Sequence, residues 1–121
     1  MTTINIGKET IDDIIGKNNI VLIDWWAEWC GPCKMFGPIY ENVSNKHPEI
    51  VFAKVDTEAE RELSAGAGIQ SIPTLMVFKE QTLIFSQAGA LPEAALEDLL
   101  QKVKDINMDD VRKEIAKQEA N

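Results

Sequence analysis

The sequence predicts an α/β domain: a mixed sheet of about five strands with helices on both faces, followed by one extra helical segment at the C-terminus. Three observations carry that expectation. Short apolar runs alternate with amphipathic stretches along most of the chain, the pattern that builds strands with covering helices. Two later runs follow one another across a few polar residues, as in an antiparallel hairpin. The 121 residues, 45% apolar and 26% charged, suit one ordinary globular domain whose core needs no cross-links.

Residues Thr3 to Ile6 read as a short strand, and a helix follows from about Thr10 with Ile11, Ile14 and Ile15 on one face. Ile20-Val21-Leu22-Ile23-Asp24-Trp25-Trp26 is a continuous apolar run broken only by the acid, as expected of a central strand buried on both sides. From Cys33 to His47 the apolar positions Met35, Phe36, Ile39, Tyr40 and Val43 fall at helical spacing, and Pro38 is expected to kink that helix. Glu49 to Val55 reads as a strand and Glu58 to Ala65 as a short helix. Ala65-Gly66-Ala67-Gly68 lacks the third glycine of a nucleotide loop, so its glycines belong to a loop or helix end. The hairpin comprises Thr74 to Phe78 and Leu83 to Ser86. Pro92 then opens a helix carrying Leu96, Leu99, Leu100 and Val103, and Asp109 to Gln118 forms a last amphipathic helix through Met108, Val111 and Ile115.

Charge narrows the function. Twenty acidic against twelve basic side chains give a net charge of −8, a field that repels phosphate backbones and anionic lipid. Nucleic acid and membrane surfaces are therefore not expected partners. The longest strongly apolar run, Ile20 to Ile23, is cut by Asp24 and is too short to span a bilayer. Residues 1–10 show no basic region followed by an apolar stretch, so the expected location is cytoplasmic. Thiols are kept reduced there, and closely spaced cysteines are more often catalytic than structural.

The only two cysteines stand in Trp29-Cys30-Gly31-Pro32-Cys33. Two thiols at this spacing can close a small ring and reopen it. A loop this short adds about 2 kcal/mol in the chain-entropy model, against roughly 4.7 for a ~100-residue loop. Reactivity is thus the better reason for the pair. Pro32 suits the first turn of a helix, which leaves Cys30 just before a helix N-terminus. Free N–H groups and the macrodipole there favour a thiolate, and Lys34 adds a positive charge. Cys30 is the expected nucleophile and Cys33 the resolving thiol.

Other uses of the pair fit poorly. A structural zinc site needs four Cys or His ligands, and only His47 remains, fourteen residues past Cys33. A c-type haem site needs His directly after the second Cys, where Lys34 stands. Two inert core thiols are the remaining plain alternative.

The segment Asp24-Trp25-Trp26-Ala27-Glu28-Trp29-Cys30-Gly31-Pro32-Cys33-Lys34-Met35 resembles the active-site segment of the thioredoxin family. Gly68-Ile69-Gln70-Ser71-Ile72-Pro73-Thr74-Leu75 resembles that family's cis-proline segment, and Gly89-Ala90 its late glycine loop. The likeness covers roughly residues 3 to 104 in register, with residues 105 to 121 as a C-terminal extension. It implies the thioredoxin fold. Two departures stand out besides the extension: Trp25 replaces a more usual Phe, and Lys79-Glu80-Gln81-Thr82 lacks the usual Asn-Gly turn.

The resemblance also implies roles. Asp24 becomes the buried acid that helps deprotonate Cys33; read from the strand alone, it could equally be an acid reaching water. Lys54 is implied to pair with Asp24, against the alternative of a solvated surface lysine. Pro73 is implied to be cis, presenting the backbone of Ile72 to a client peptide, where an ordinary trans proline would merely open a strand. Trp29 would flank the cysteines, with Gly31 and Pro32 in the active-site turn. Gly89 and Ala90 would let a peptide approach the backbone. Trp26 and Phe78 are read as core.

The implied activity is general protein-disulfide reduction through a Cys30–Cys33 disulfide. No cofactor or metal is bound. Electrons come from NADPH through a flavin-dependent thioredoxin reductase, and the partners are that reductase and disulfide-containing client proteins of a monomeric carrier. Two other functions share the pattern. One is a disulfide-donating oxidase or isomerase, whose members often carry His between the cysteines instead of Gly31-Pro32. The other is a non-redox binding subunit that uses the Trp29, Ile72 and Gly89 surface.

Overall fold

The computed structural model describes residues 2–120. Ten elements follow in order: β1 (Thr3–Asn5), α1 (Ile11–Lys17), β2 (Ile20–Trp26), α2 (Gly31–Ser44), β3 (Val51–Asp56), α3 (Arg61–Gly66), β4 (Thr74–Lys79), β5 (Thr82–Ala88), α4 (Glu93–Asp105) and α5 (Met108–Ala120). The five strands form one sheet in the order β1-β3-β2-β4-β5. β1, β3 and β2 run parallel, while β4 is antiparallel to β2 and β5 to β4. The expected mixed sheet with covering helices is what forms.

Side-chain alternation along β2 sorts the core onto two faces. Ile20 and Leu22 join Phe36, Tyr40, Phe52, Leu75, Val77, Leu96 and Leu100 beneath α2 and α4. Val21, Ile23 and Trp25 join Ile6, Ile11, Ala53, Val55 and Met76 on the opposite face. Asp24 has the parity of Leu22, so it points to the α2 side. Lys54, two residues past Phe52, shares that side as the cross-strand neighbour of Asp24.

Element ends depart from the sequence reading for local reasons. α2 starts at Gly31, earlier than Cys33, because Cys30 caps it and Pro32 falls inside its first turn. It ends at Ser44, where Lys46 and His47 turn to the tighter bonds Lys46 N–H to Val43 O and His47 N–H to Ser44 O. Pro38 lies within α2 without ending it. α3 starts only at Arg61, because the Asp56 carboxylate takes the N–H groups of Glu58 and Ala59 and folds that stretch as a turn.

The hairpin turn lacks glycine yet takes the left-handed conformation at both central residues, Glu80 (φ 49°) and Gln81 (φ 69°). That is the two-residue geometry matching strand twist, usually built from Asn-Gly. One extra residue, Ile84, bulges β5 where Val77 pairs Phe85 and Phe78 pairs Leu83.

Lys79 follows the parity of Leu75 and Val77 under α4. Buried there, its ammonium donates to the carbonyls of Val103 (2.8 Å), Lys104 (3.1 Å) and Ile106 (2.9 Å), closing the C-terminus of α4. Beyond α4 the chain turns at residues 106 and 107 into α5. α5 is anchored by buried Met108 and by the Arg112–Glu80 ion pair at 3.0 Å, and it is exposed from Arg112 onward.

Candidate functional site

The cysteines meet where β2 leaves the sheet. They form a disulfide, with Cα atoms 5.2 Å apart. Cys30 is the N-cap of α2, and its Sγ accepts the backbone N–H of Cys33 at 3.2 Å. That contact and the α2 macrodipole stabilise negative charge on the Cys30 sulfur once the disulfide opens. Cys30 and Cys33 pack with Ala27 and are flanked by Trp26 and Ile72. Both cysteines are largely covered, whereas Trp29 and Met35 on the rim are 69% and 72% exposed.

Across from the disulfide, the Ile72–Pro73 bond is cis. Cys30 Sγ lies 3.6 Å from the Ile72 carbonyl oxygen. Gly89, at φ 106°, donates its N–H to the Pro73 carbonyl at 2.8 Å, so the β5 exit is stitched to the cis-proline loop. A side chain at Gly89 would be strained by that φ, although the space around it is open. Ile72 is half-buried, and Gly89 and Ala90 are exposed beside it.

Beneath α2 lies Asp24, 1% exposed, with Oδ1 lacking any hydrogen-bond partner among the described residues. Burial pushes its carboxyl up to about 7, and the positive charge of Lys54 pulls the other way. Lys54 reaches this acid through its field. Its ammonium stands over the Trp26 indole, 4.9 Å from the ring centroid, so the implied pairing is a cross-strand neighbour relation. Tyr40 also feels Asp24: burial and the nearby carboxylate both push its phenol upward, while its hydroxyl donates to the Ala53 carbonyl at 2.8 Å.

Trp25 is core, whereas Trp26 and Phe78 are only partly buried. The fold therefore gathers Asp24, Lys54, Cys30, Cys33, Trp29, Ile72, Pro73, Gly89 and Ala90 at one end of the sheet, from four separate stretches of chain. Glu58 joins them without any mark in the sequence. Its carboxylate accepts the Trp29 indole N–H at 2.9 Å, and Arg61 holds it at 2.8 Å. No motif or periodicity distinguishes it from the other acids of that segment. Among the described residues no cluster of three His, Cys, Asp or Glu side chains is arranged to hold a metal.

The Thioredoxin family model matches residues 2–102. The chain belongs to the thioredoxin family. A Streptomyces coelicolor protein named as a thioredoxin is 53% identical over 119 residues, spanning 98% of this chain and 89% of that one. A thioredoxin C-3 of Corynebacterium nephridii is 42% identical over 80% of this chain and 68% of its own length. Among solved structures, a mutant thioredoxin of Halobacterium salinarum superposes with a TM-score of 0.80 at 29% identity, over 87% of this chain and 93% of that one. The Plasmodium falciparum thioredoxin gives 0.73 at 36% identity, over 84% and 95%. As a thioredoxin-family member with a redox-active Cys30–Cys33 pair, the chain is a protein-disulfide oxidoreductase.

Proposed function

We propose that the chain is a general protein-disulfide reductase in which Cys30 attacks, Cys33 resolves and Asp24 takes the proton from Cys33. The Cys30 thiolate attacks one sulfur of a client disulfide, expels the other as a thiolate and forms a mixed disulfide. Cys33, deprotonated by the Asp24 carboxylate, then attacks Cys30 Sγ and releases the reduced client. Two electrons pass to the client, and a Cys30–Cys33 disulfide remains. Trp29, Ile72, cis Pro73, Gly89 and Ala90 form the client surface, with Gly31 and Pro32 shaping the turn and Lys54 tuning Asp24. The observation that carries this reading is Cys30 Sγ at the cap of α2, accepting the Cys33 N–H at 3.2 Å beside the Ile72 carbonyl.

Turnover needs a two-electron donor. We assign that part to a flavin-dependent thioredoxin reductase fed by NADPH, so the chain carries electrons with no cofactor of its own and serves cell redox homeostasis. The cytoplasm is the proposed setting, because the only cysteines serve as a redox pair and not as staples. Among the described residues no helix is long and apolar enough to cross a membrane. The protein acts as a monomer on disulfide-bonded proteins. Residues 3–104 make up the redox domain, with 105–121 as its helical extension.

The test is the equilibrium potential of the Cys30–Cys33 couple against a dithiol buffer. Reducing thioredoxins as a class lie near roughly −270 mV, and disulfide donors at about −180 to −120 mV. A value at the reducing end is expected. A value at the oxidising end would replace the reductase with an oxidase or isomerase.

A further inference from the structure

Trp29 is the most exposed aromatic residue of the site, and packing alone does not fix its position. Two depressions share it as a wall. One, of about 390 Å³, is lined by Thr57, Ser64, Ile69, Gln70, Ser71 and Ile72. The other, of about 460 Å³, is bordered by the charged groups Glu28, Lys34, Asp56 and Glu58. The angle of the indole thus sets the boundary between an apolar trough that begins at Ile72 and an acidic flank.

A chain of polar contacts fixes that angle. The Asp56 carboxylate takes the N–H of Glu58 at 2.9 Å and of Ala59 at 3.3 Å, folding the β3–α3 loop. The loop delivers the Glu58 carboxylate to the Trp29 N–H at 2.9 Å. Arg61, at the first turn of α3, grips its other oxygen at 2.8 Å. The indole bond, with Arg61 behind it, holds this carboxyl below its usual range. Trp25 and Trp26 have no such partner: the Nε1 atom of each is buried and unpaired among the described residues. Only the exposed tryptophan is tied, and it is tied to a charge.

We propose that Glu58, anchored by Arg61, is a positioning residue that holds the Trp29 indole as the wall of the client trough beside Ile72, and so contributes to how tightly protein clients bind. The inference rests on the reductase reading above. An untied indole would sample several rotamers, and each client would then have to select the one that leaves the trough open. The cost should fall on client binding and not on the exchange step, because Glu58 touches no sulfur.

The experiment compares wild type with Glu58→Ala, Glu58→Gln and a control, Glu62→Ala. Glu62 is an exposed acid of α3 whose only ion pair among the described residues is with Lys8. Two quantities are read: solvent exchange of the Trp29 indole proton by NMR, and KM and kcat for a disulfide-bonded protein client. Glu58→Ala should speed indole exchange and raise KM roughly fivefold with kcat within about twofold, the scale of one lost hydrogen bond. Glu58→Gln keeps an acceptor and should recover much of both. Glu62→Ala should match wild type. Unchanged exchange in Glu58→Ala would overturn the proposal, and so would altered exchange with unchanged KM. A Glu58→Gln as impaired as Glu58→Ala would assign the effect to charge, against positioning. Failure of the wild type itself to reduce the client would strike the reductase reading instead.

Discussion

Replacing Asp24 with Asn should remove a pH-dependent penalty that this fold carries at neutral pH. The carboxyl is raised from 3.8 to about 7 by burial. Below about pH 4 it is protonated in both the folded and the unfolded chain, and it costs nothing. As pH rises from about 4 to about 7, the unfolded chain gives up this proton and the folded chain keeps it. Stability therefore falls with rising pH across that window, and the loss is complete above about pH 7. Roughly three pKa units at about 1.4 kcal/mol each make the full loss about 4 kcal/mol.

An asparagine does not titrate, so Asp24→Asn should show none of that slope. Swapping acid for amide adds an offset of its own, but that offset does not depend on pH. Urea denaturation of the oxidised proteins between pH 4 and pH 9 reads the difference directly. The variant should gain on wild type by about 4 kcal/mol from the acid to the alkaline end. Lys54 lowers the Asp24 value, so Lys54→Met should move the midpoint of the wild-type curve to higher pH. A difference that stays flat with pH would refute the reasoning and mean that Asp24 is solvated or contact-paired. The same property suits the proton transfer proposed for Asp24, because a carboxyl titrating near neutrality can both take and return a proton at working pH.

Three outcomes follow from the far end of the sheet and one from the cysteines. Lys79→Met should destabilise the fold by about 2 kcal/mol or more in urea, because the carbonyls of Val103, Lys104 and Ile106 lose their charged donor. Gln81→Gly should raise the unfolding free energy read in urea by about 0.5–1 kcal/mol, since φ 69° strains a side-chain-bearing residue but not glycine. Truncation after Asn107 removes buried Met108 and the Arg112–Glu80 pair and should cost about 2 kcal/mol, with client reduction unchanged. A truncated chain that fails to fold would make the extension part of the domain. Cys33→Ser should accumulate a mixed disulfide through Cys30 with a protein client, visible by mass spectrometry; trapping through the other cysteine after Cys30→Ser would reverse the two roles.

The sequence by itself determined what depends on neighbours along the chain. Apolar spacing set the strands and helices, and Pro32 after Cys30 placed the thiol at a helix start. The charged break in Ile20–Trp26 singled out Asp24. These signals are local, because secondary structure repeats over two or about four residues and leaves its period in the sequence. The tertiary structure decided what depends on residues far apart in sequence. It put Asp24 and Lys54 side by side on one face yet sent the lysine to the Trp26 ring. It bent Glu80 and Gln81 into a turn that their own preferences oppose, where Glu80 meets Arg112 and the Glu80 N–H meets the Asn19 carbonyl. It carried Glu58 to Trp29, twenty-nine residues away. Such contacts leave no period to read, since a carboxylate on a surface loop looks the same in sequence whether it faces water or an indole.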